Sequence, residues 1–253
     1  MRRAYCICAG LSLVLVGCLT RVSAPELDAE EIRARRDALG PEVLEAFRDL
    51  KARLLRIEHR LRVASAPFCG PLVVPELGVL VADENSFSQD VVQGIASSAL
   101  GIGDRATVVH ALPSGAFARA GGRVGDALAD PEHQSLTRFV IERADASSPS
   151  APITLEMVRG GEPLELRLRP DVACAVRAVF SQEGFLLPWQ HDAFMSAIPA
   201  GALRYFDDDE LAVLIAHQLA HALVDLAAAP PADREAAADR IGVFMVARAR
   251  FDY

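Results

Sequence analysis

The chain has no phosphate-binding glycine loop and no Ser-His-Asp arrangement, which removes two common routes to nucleotide-driven and serine-based chemistry. It has no apolar run of the ~20 residues needed to span a bilayer as a helix, and the run over 4–16 is too short. Positive charge is scarce. There are 26 Lys and Arg against 34 Asp and Glu, for a net charge of −8. Such a balance argues against nucleic acid as a partner and against a polybasic membrane patch. Lysine is nearly missing: Lys51 stands alone among arginines, a matter of base composition that says little about function. Cysteine is limited to five residues.

The five cysteines carry information through position. Arg2 and Arg3 precede the apolar run, as in the charged and hydrophobic regions of a signal peptide. The run closes on Leu15-Val16-Gly17-Cys18, which resembles a bacterial lipobox. The resemblance implies a signal over 1–17, cleavage before Cys18 and lipidation of Cys18, hence a membrane anchor. Leu19 is unlike the Asp of inner-membrane retention, so the outer membrane facing the periplasm is the expected place within the cell envelope. Loss of Arg2 and Arg3 would take the charge from −8 to −10, since 1–17 contains no acid. Cys6 and Cys8 leave with the signal. Cys69 and Cys174 then remain in an oxidising compartment, and a disulfide between them is expected.

Residues 18–66 read as a linker and an amphipathic helix. Val43, Phe47, Leu50, Leu54, Ile57 and Leu61 recur at spacings of three and four, so the helix is expected over 42–63. Pro41 suits its first turn. His59 lies among charged residues and is expected to be solvated. Residues 67–170 change texture to short apolar runs cut by Gly, Pro and Asp, as strands require. A strand is expected over 107–112, a turn at Pro113-Ser114-Gly115 and a short helix over 116–120. A hairpin is expected from 153–158 and 164–168 around Gly160-Gly161. His110 and His133 fall in this part with no acidic partner apparent.

The stretch Val108-Val109-His110-Ala111-Leu112-Pro113-Ser114-Gly115-Ala116-Phe117-Ala118-Arg119-Ala120-Gly121, followed by Arg123-Val124-Gly125-Asp126, resembles a bacterial PDZ domain. That implies a β-rich fold, either able to add a peptide strand to a sheet edge or serving as a spacer with no ligand. The loop for a peptide's terminal carboxylate would then fall near Leu77-Gly78-Val79-Leu80.

Residues 171–253 hold the chemistry. A strand is expected over 176–180, and a strand turning into a helix over 194–203. Asp207-Asp208-Asp209 should cap a helix over 210–228. Pro230-Pro231 should stop it after a very short connection, and a second helix should run over 232–250. The first of these helices carries His217-Gln218-Leu219-Ala220-His221. Residues four apart share a helix face, so the two imidazoles can grip one metal ion. Where an HExxH zinc peptidase places its general base, this chain has Gln218. An amide can hydrogen-bond a water but cannot hold its proton.

Asp208-Asp209-Glu210-Leu211-Ala212-Val213-Leu214-Ile215-Ala216-His217-Gln218-Leu219-Ala220-His221, with Glu235-Ala236-Ala237-Ala238-Asp239 and the segment 248–253, resembles the HtpX-like and BepA-like gluzincin metallopeptidases. The resemblance implies zinc held by His217, His221 and Glu235, with Asp239 orienting a ligand. It also implies that the strand within 194–203 is an edge strand. Helix geometry leaves Asp239 as a rival third ligand. With ends near Ala228 and Ala232 and a rise of about 1.5 Å per residue, His221 and Asp239 both stand about 10 Å from the turn and Glu235 about 5 Å. An earlier end near Asp225 brings Glu235 level instead. Gln218 stands at the position of the family's base, and losing a base costs about 10² to 10⁴ in rate.

The expected architecture is therefore α+β: an amphipathic helix, a PDZ-like β-rich domain and a short gluzincin-like helical domain. The expected function is a lipid-anchored envelope protein that binds polypeptide segments or envelope proteins with impaired or no proteolysis. The alternatives are an active zinc metalloendopeptidase of envelope quality control and a structural lipoprotein whose histidine pair is a metal-free vestige, hydrogen-bonded to Glu235 and Asp239. Trp189 and His191 are read as packing or surface residues.

Overall fold

A computed structural model describes residues 28–83, 86, 95, 99–130, 148–190, 194–226 and 233–252. The signal and lipidation readings at 1–18, most of 84–98, His133, His191, Pro230, Pro231 and Tyr253 lie outside these residues.

The fold mixes helices and sheets. Its spine is α1 (Ala29–Ser65), which starts thirteen residues before the expected position and carries Pro41 inside it. Asp28 caps the start by accepting from the Glu30 N–H at 3.3 Å. Glu30 and Glu31 then favour the helix N-terminus. The Ala, Glu, Leu and Arg residues between Asp28 and Pro41 are strong helix formers, and they carry the helix through the proline. Its first turns are mostly exposed, and only from Leu44 onward does it bury a face.

After a 3-10 turn (Ala66–Phe68), β1 (Val73–Glu76) pairs antiparallel with β7 (Asp171–Cys174), so the strands beside Cys69 and Cys174 run together. The two cysteines form a disulfide with Cα atoms 5.7 Å apart. Between them lies a five-stranded sheet. It contains β2 (Val79–Ala82), β3 (Thr107–Ala111), β4 (Ala127–Leu128), β5 (Ile153–Arg159) and β6 (Glu162–Leu168), in that spatial order. The short helix α2 (Ala116–Arg119) drops Phe117 into its core against Val108, Leu128, Leu155 and Met157. Gly160 and Gly161 both take positive φ, as the tight β5–β6 hairpin turn demands. Asp126 is fully buried at the turn into β4. Burial alone would raise its carboxyl, but Arg159, which donates at 2.6 and 2.8 Å, and the Arg123 N–H hold it below the usual range.

The second layer holds β8 (Arg177–Ser181), β9 (Trp189–Gln190) and β10 (Met195–Pro199). Helices α3 (Ala200–Tyr205), α4 (Asp208–Leu226) and α5 (Arg234–Arg248) follow. The strand expected at the edge, β10, is instead central, parallel to β8 and antiparallel to β9. The two-residue β9 takes the edge, too short to show in an apolar pattern. Leu54, Ile57 and Leu61 of α1 join Ile198, Leu203, Leu211, Ile215, Leu219, Met245 and Val246 in one core. The amphipathic helix thus packs with the helices that follow β10 as well as with the sheet.

A sealed polar cluster ties these parts together. Arg62 is 1 % exposed and donates to the Cys174 carbonyl at 2.8 Å, to Glu76 at 2.6 Å and to Glu58 at 3.2 Å. Glu76 also accepts from the Leu77 and Gly78 N–H groups, and Glu58 from the Ala178 N–H. His59 is buried rather than solvated, with Nε2 3.5 Å from Asp171. The packed stripe of α1 is wider than the apolar positions alone indicate.

Candidate metal centre

The start of α4 is fixed from both sides. Asp207 accepts from the Asp209 and Glu210 N–H groups at 3.0 and 2.9 Å, while Glu210 accepts from the Asp207 N–H at 3.0 Å. This is a reciprocal capping box. Asp208, one residue on, is gripped by Arg53 at 2.7 Å and Arg56 at 2.6 Å from α1. Burial would raise the Asp208 carboxyl, but these two guanidinium groups hold it low. The α4 helix is therefore set in register before its histidines are reached.

From there α4 buries Leu211, Ala212, Ile215, Ala216, Leu219 and Ala220. The opposite stripe leaves His217 and His221 partly exposed, at 26 % and 20 %. Their Nε2 atoms lie 3.0 Å apart. Glu235 Oε2 stands 3.7 Å from the first and 3.5 Å from the second. Four-coordinate zinc with bonds of about 2.0–2.1 Å needs donor atoms roughly 3.3 Å apart, so this triangle fits with small adjustments. Asp239 takes a different place. Its Oδ1 is 3.0 Å from Nδ1 of His217, on the far side of the ring. An Nδ1–H donated to Asp239 leaves the His217 Nε2 lone pair pointing at the other two donors.

Of the two acids, then, Glu235 stands between the imidazoles and Asp239 behind one of them. The described part of α4 reaches Leu226, and α5 starts at Arg234, two residues after its expected start. Along α4, α5 lies at the height where Glu235 meets both rings.

The close approach of α5 to α4 depends on one residue that the sequence patterns did not single out. A Cβ on Gly242 would come within 3.1 Å of the His217 Cα and N. Gly242 lies seven residues after Glu235 and three after Asp239, on the same stripe of α5. Ser196 of β10 was also missed. It donates to the Gln218 carbonyl at 3.2 Å and ties the sheet to the helix at the base position. Gln218 itself is half-buried. Beside His217 and Asp239 opens a groove of about 280 Å³ lined by Phe206, Leu214 and Val243.

The other described histidines, His59 and His110, are not part of this group. His110 is half-buried in β3, and burial followed by nearby Arg48 lowers its pKa. Among the described residues, only His217, His221 and Glu235 form a group of three or more metal-type donors. No helix of the described residues is long and apolar enough to cross a membrane. The chain matches no family model, no curated protein and no solved structure.

Proposed function

We propose that this chain is a lipid-anchored envelope protein whose last eighty residues form a metal-binding relative of the gluzincin peptidases that holds polypeptide rather than cutting it efficiently. The observation that carries the reading is the convergence of His217 Nε2, His221 Nε2 and Glu235 Oε2 with an amide, Gln218, in the following helical position. The donor set of two imidazoles and one carboxylate suits zinc, with His217, His221 and Glu235 as ligands and Asp239 holding His217 in the correct tautomer. Bound zinc would polarise a carbonyl and make a coordinated water more acidic. This chain's own contribution to hydrolysis is where it falls short. Gln218 can accept or donate a hydrogen bond to a substrate group, but it has no carboxylate to receive a proton.

The contacts of Glu76 favour a spacer role for the five-stranded sheet over a peptide groove. By the PDZ likeness, the Leu77 and Gly78 N–H groups would receive a terminal carboxylate. Both already donate to Glu76 at 3.1 Å, and Glu76 is sealed against Arg62. A peptide's end would have to displace a buried, paired carboxylate, a costly exchange.

The test is metal content followed by cleavage. The purified chain should carry about one zinc per molecule, removed by chelator and absent from His217→Ala. Casein cleavage should be weak in the unmodified chain and rise about 10²-fold or more in Gln218→Glu. Strong, chelator-sensitive cleavage by the unmodified chain would reject this reading in favour of an active endopeptidase.

A further inference from the structure

The three most exposed large apolar side chains among the described residues are Leu187 at 79 %, Phe185 at 75 % and Tyr205 at 73 %. They are not scattered. Phe185 and Leu187 lie on the 182–188 connection between β8 and β9, and Tyr205 ends α3. A Cβ on Gly201 would overlap the Phe185 carbonyl, so the loop backbone rests on the first turn of α3. Gly201 and Tyr205 are four apart and share a face of that helix. The loop is thus supported through its backbone while its apolar side chains stand outward. A segment serving only to close a core would do the reverse.

Contacts along α1 show which end of the body this is. Phe47 packs edge-on against Phe180, one residue before β8 ends. Arg53 donates to the carbonyls of Leu203 and Phe206. Further along, Arg60 reaches Arg250, and Arg248 donates to the carbonyl of Ala64. The apolar tips therefore sit at the end from which the first half of α1 emerges. From Phe47 back to Ala29 is about 27 Å along the helix. The ten residues from Cys18 to Asp28 can span up to about 33–36 Å. That reach is enough to bring Cys18 back level with the tips.

We infer that the 182–188 loop and Tyr205 form a second point of attachment to a lipid bilayer, with Phe185 and Leu187 entering the acyl boundary and the Tyr205 ring at headgroup level. Side chains that protrude from a loop and a helix end suit a fluid surface, whereas a polypeptide partner needs a groove to fill. Arg204, exposed beside Tyr205, supplies a cation for lipid phosphate, and Glu183 is the acid on the loop. The inference rests on the lipid-anchor reading, because the Cys18 acyl chains set the distance over which the loop can act. One attachment point leaves the body free to swing; two fix its orientation.

The chain's one tryptophan, Trp189, follows Leu187 by two residues and makes a built-in reporter. The full chain recovered from bacterial membranes would be returned to phosphatidylethanolamine–phosphatidylglycerol vesicles, with or without lipids brominated near the headgroup end. Trp189 fluorescence should be quenched by the brominated lipid. The Phe185→Ser/Leu187→Ser variant should lose that quenching while still floating with the vesicles. Both side chains are largely exposed, so its thermal midpoint should match the unmodified chain. Tyr205→Ser, away from the loop, should weaken the quenching independently. Unquenched Trp189 in the unmodified chain, or equal quenching in the double variant, would overturn the inference. The mass of the Cys18 peptide tests the anchor separately: absent acyl chains would refute the anchor while the quenching still reports on the loop.

Discussion

Two polar clusters in this molecule are built from the same materials and differ in what surrounds them. Around Arg62, two carboxylates and a backbone carbonyl meet a guanidinium in a space sealed from water. Around His217, two carboxylates and a second imidazole meet where water reaches them. In the sealed cluster each Arg62 contact pairs a donor with an acceptor, so the cluster is a fastening. In the open cluster the two imidazole Nε2 atoms and the Glu235 carboxylate converge on one point, while Asp239 holds the far side of the His217 ring. The sealed cluster fastens elements together; the open one gathers donor atoms where solvent reaches them.

The contrast can be broken at its strongest point first. The disulfide beside the sealed cluster closes a loop with a sequence separation of 105 residues. Chain-entropy estimates put its worth at about 4–5 kcal/mol as an upper value. Cys69→Ser/Cys174→Ser should lower the denaturation midpoint accordingly in urea titrations and leave zinc stoichiometry in the folded fraction unchanged.

Next comes Arg62→Met, which takes the closest cation from Glu58 and Glu76, leaves only Arg177 at 3.6 Å from Glu58 and should cost about 3–5 kcal/mol. His217→Ala, by contrast, should cost about 1 kcal/mol or less in the metal-free protein. Comparable losses in the two variants would erase the distinction drawn here.

Acid sharpens the same contrast. Glu76, Asp126, Asp171 and Asp208 are each pushed up by burial and pulled further down by their partners, ending below their ordinary values. A carboxyl depressed in the folded state stabilises fully above its unfolded pKa. That contribution fades as pH falls through the folded value. Stability measured by calorimetry should therefore hold down to about pH 4 and drop below it. A loss of stability beginning near neutrality would show that other groups govern.

Within the proposed centre the subtler change is Asp239→Asn, which keeps the shape behind His217 and removes the charge. Zinc affinity, read by competition with a chromogenic chelator, should fall about 10- to 100-fold. Glu235→Gln should fall further, since it alters a donor rather than its support.

Much of this was legible in the sequence because it was local. The 3.6-residue period gave α4 and the later part of α1, the glycine pair gave the β5–β6 turn, and the cysteine count gave the disulfide. The two histidines were visible because one helix carries both. What escaped depended on how elements meet. Pro41 reads as a start, yet the helix runs through it once Asp28 and the alanines before it are in place. Glu235 and Asp239 could not be separated, since their roles turn on how α5 lies along α4, which the pattern of either helix alone does not fix. The Arg62 cluster left a faint trace: Glu58 and Arg62 sit four apart and flank Ile57 and Leu61, where charge is out of place unless paired. His59 was misjudged for the same reason.

Gly242 works as a stop between two rods. Because nothing projects from it, the rods close until backbone meets backbone, and that gap decides how far a carboxylate on one stands from the rings on the other. On the proposed metal-binding reading, the preference for one ion size over another would be written partly in packing, at a residue that is not itself a ligand. A methyl group added there would act like a shim, widening the jaws without touching what they hold.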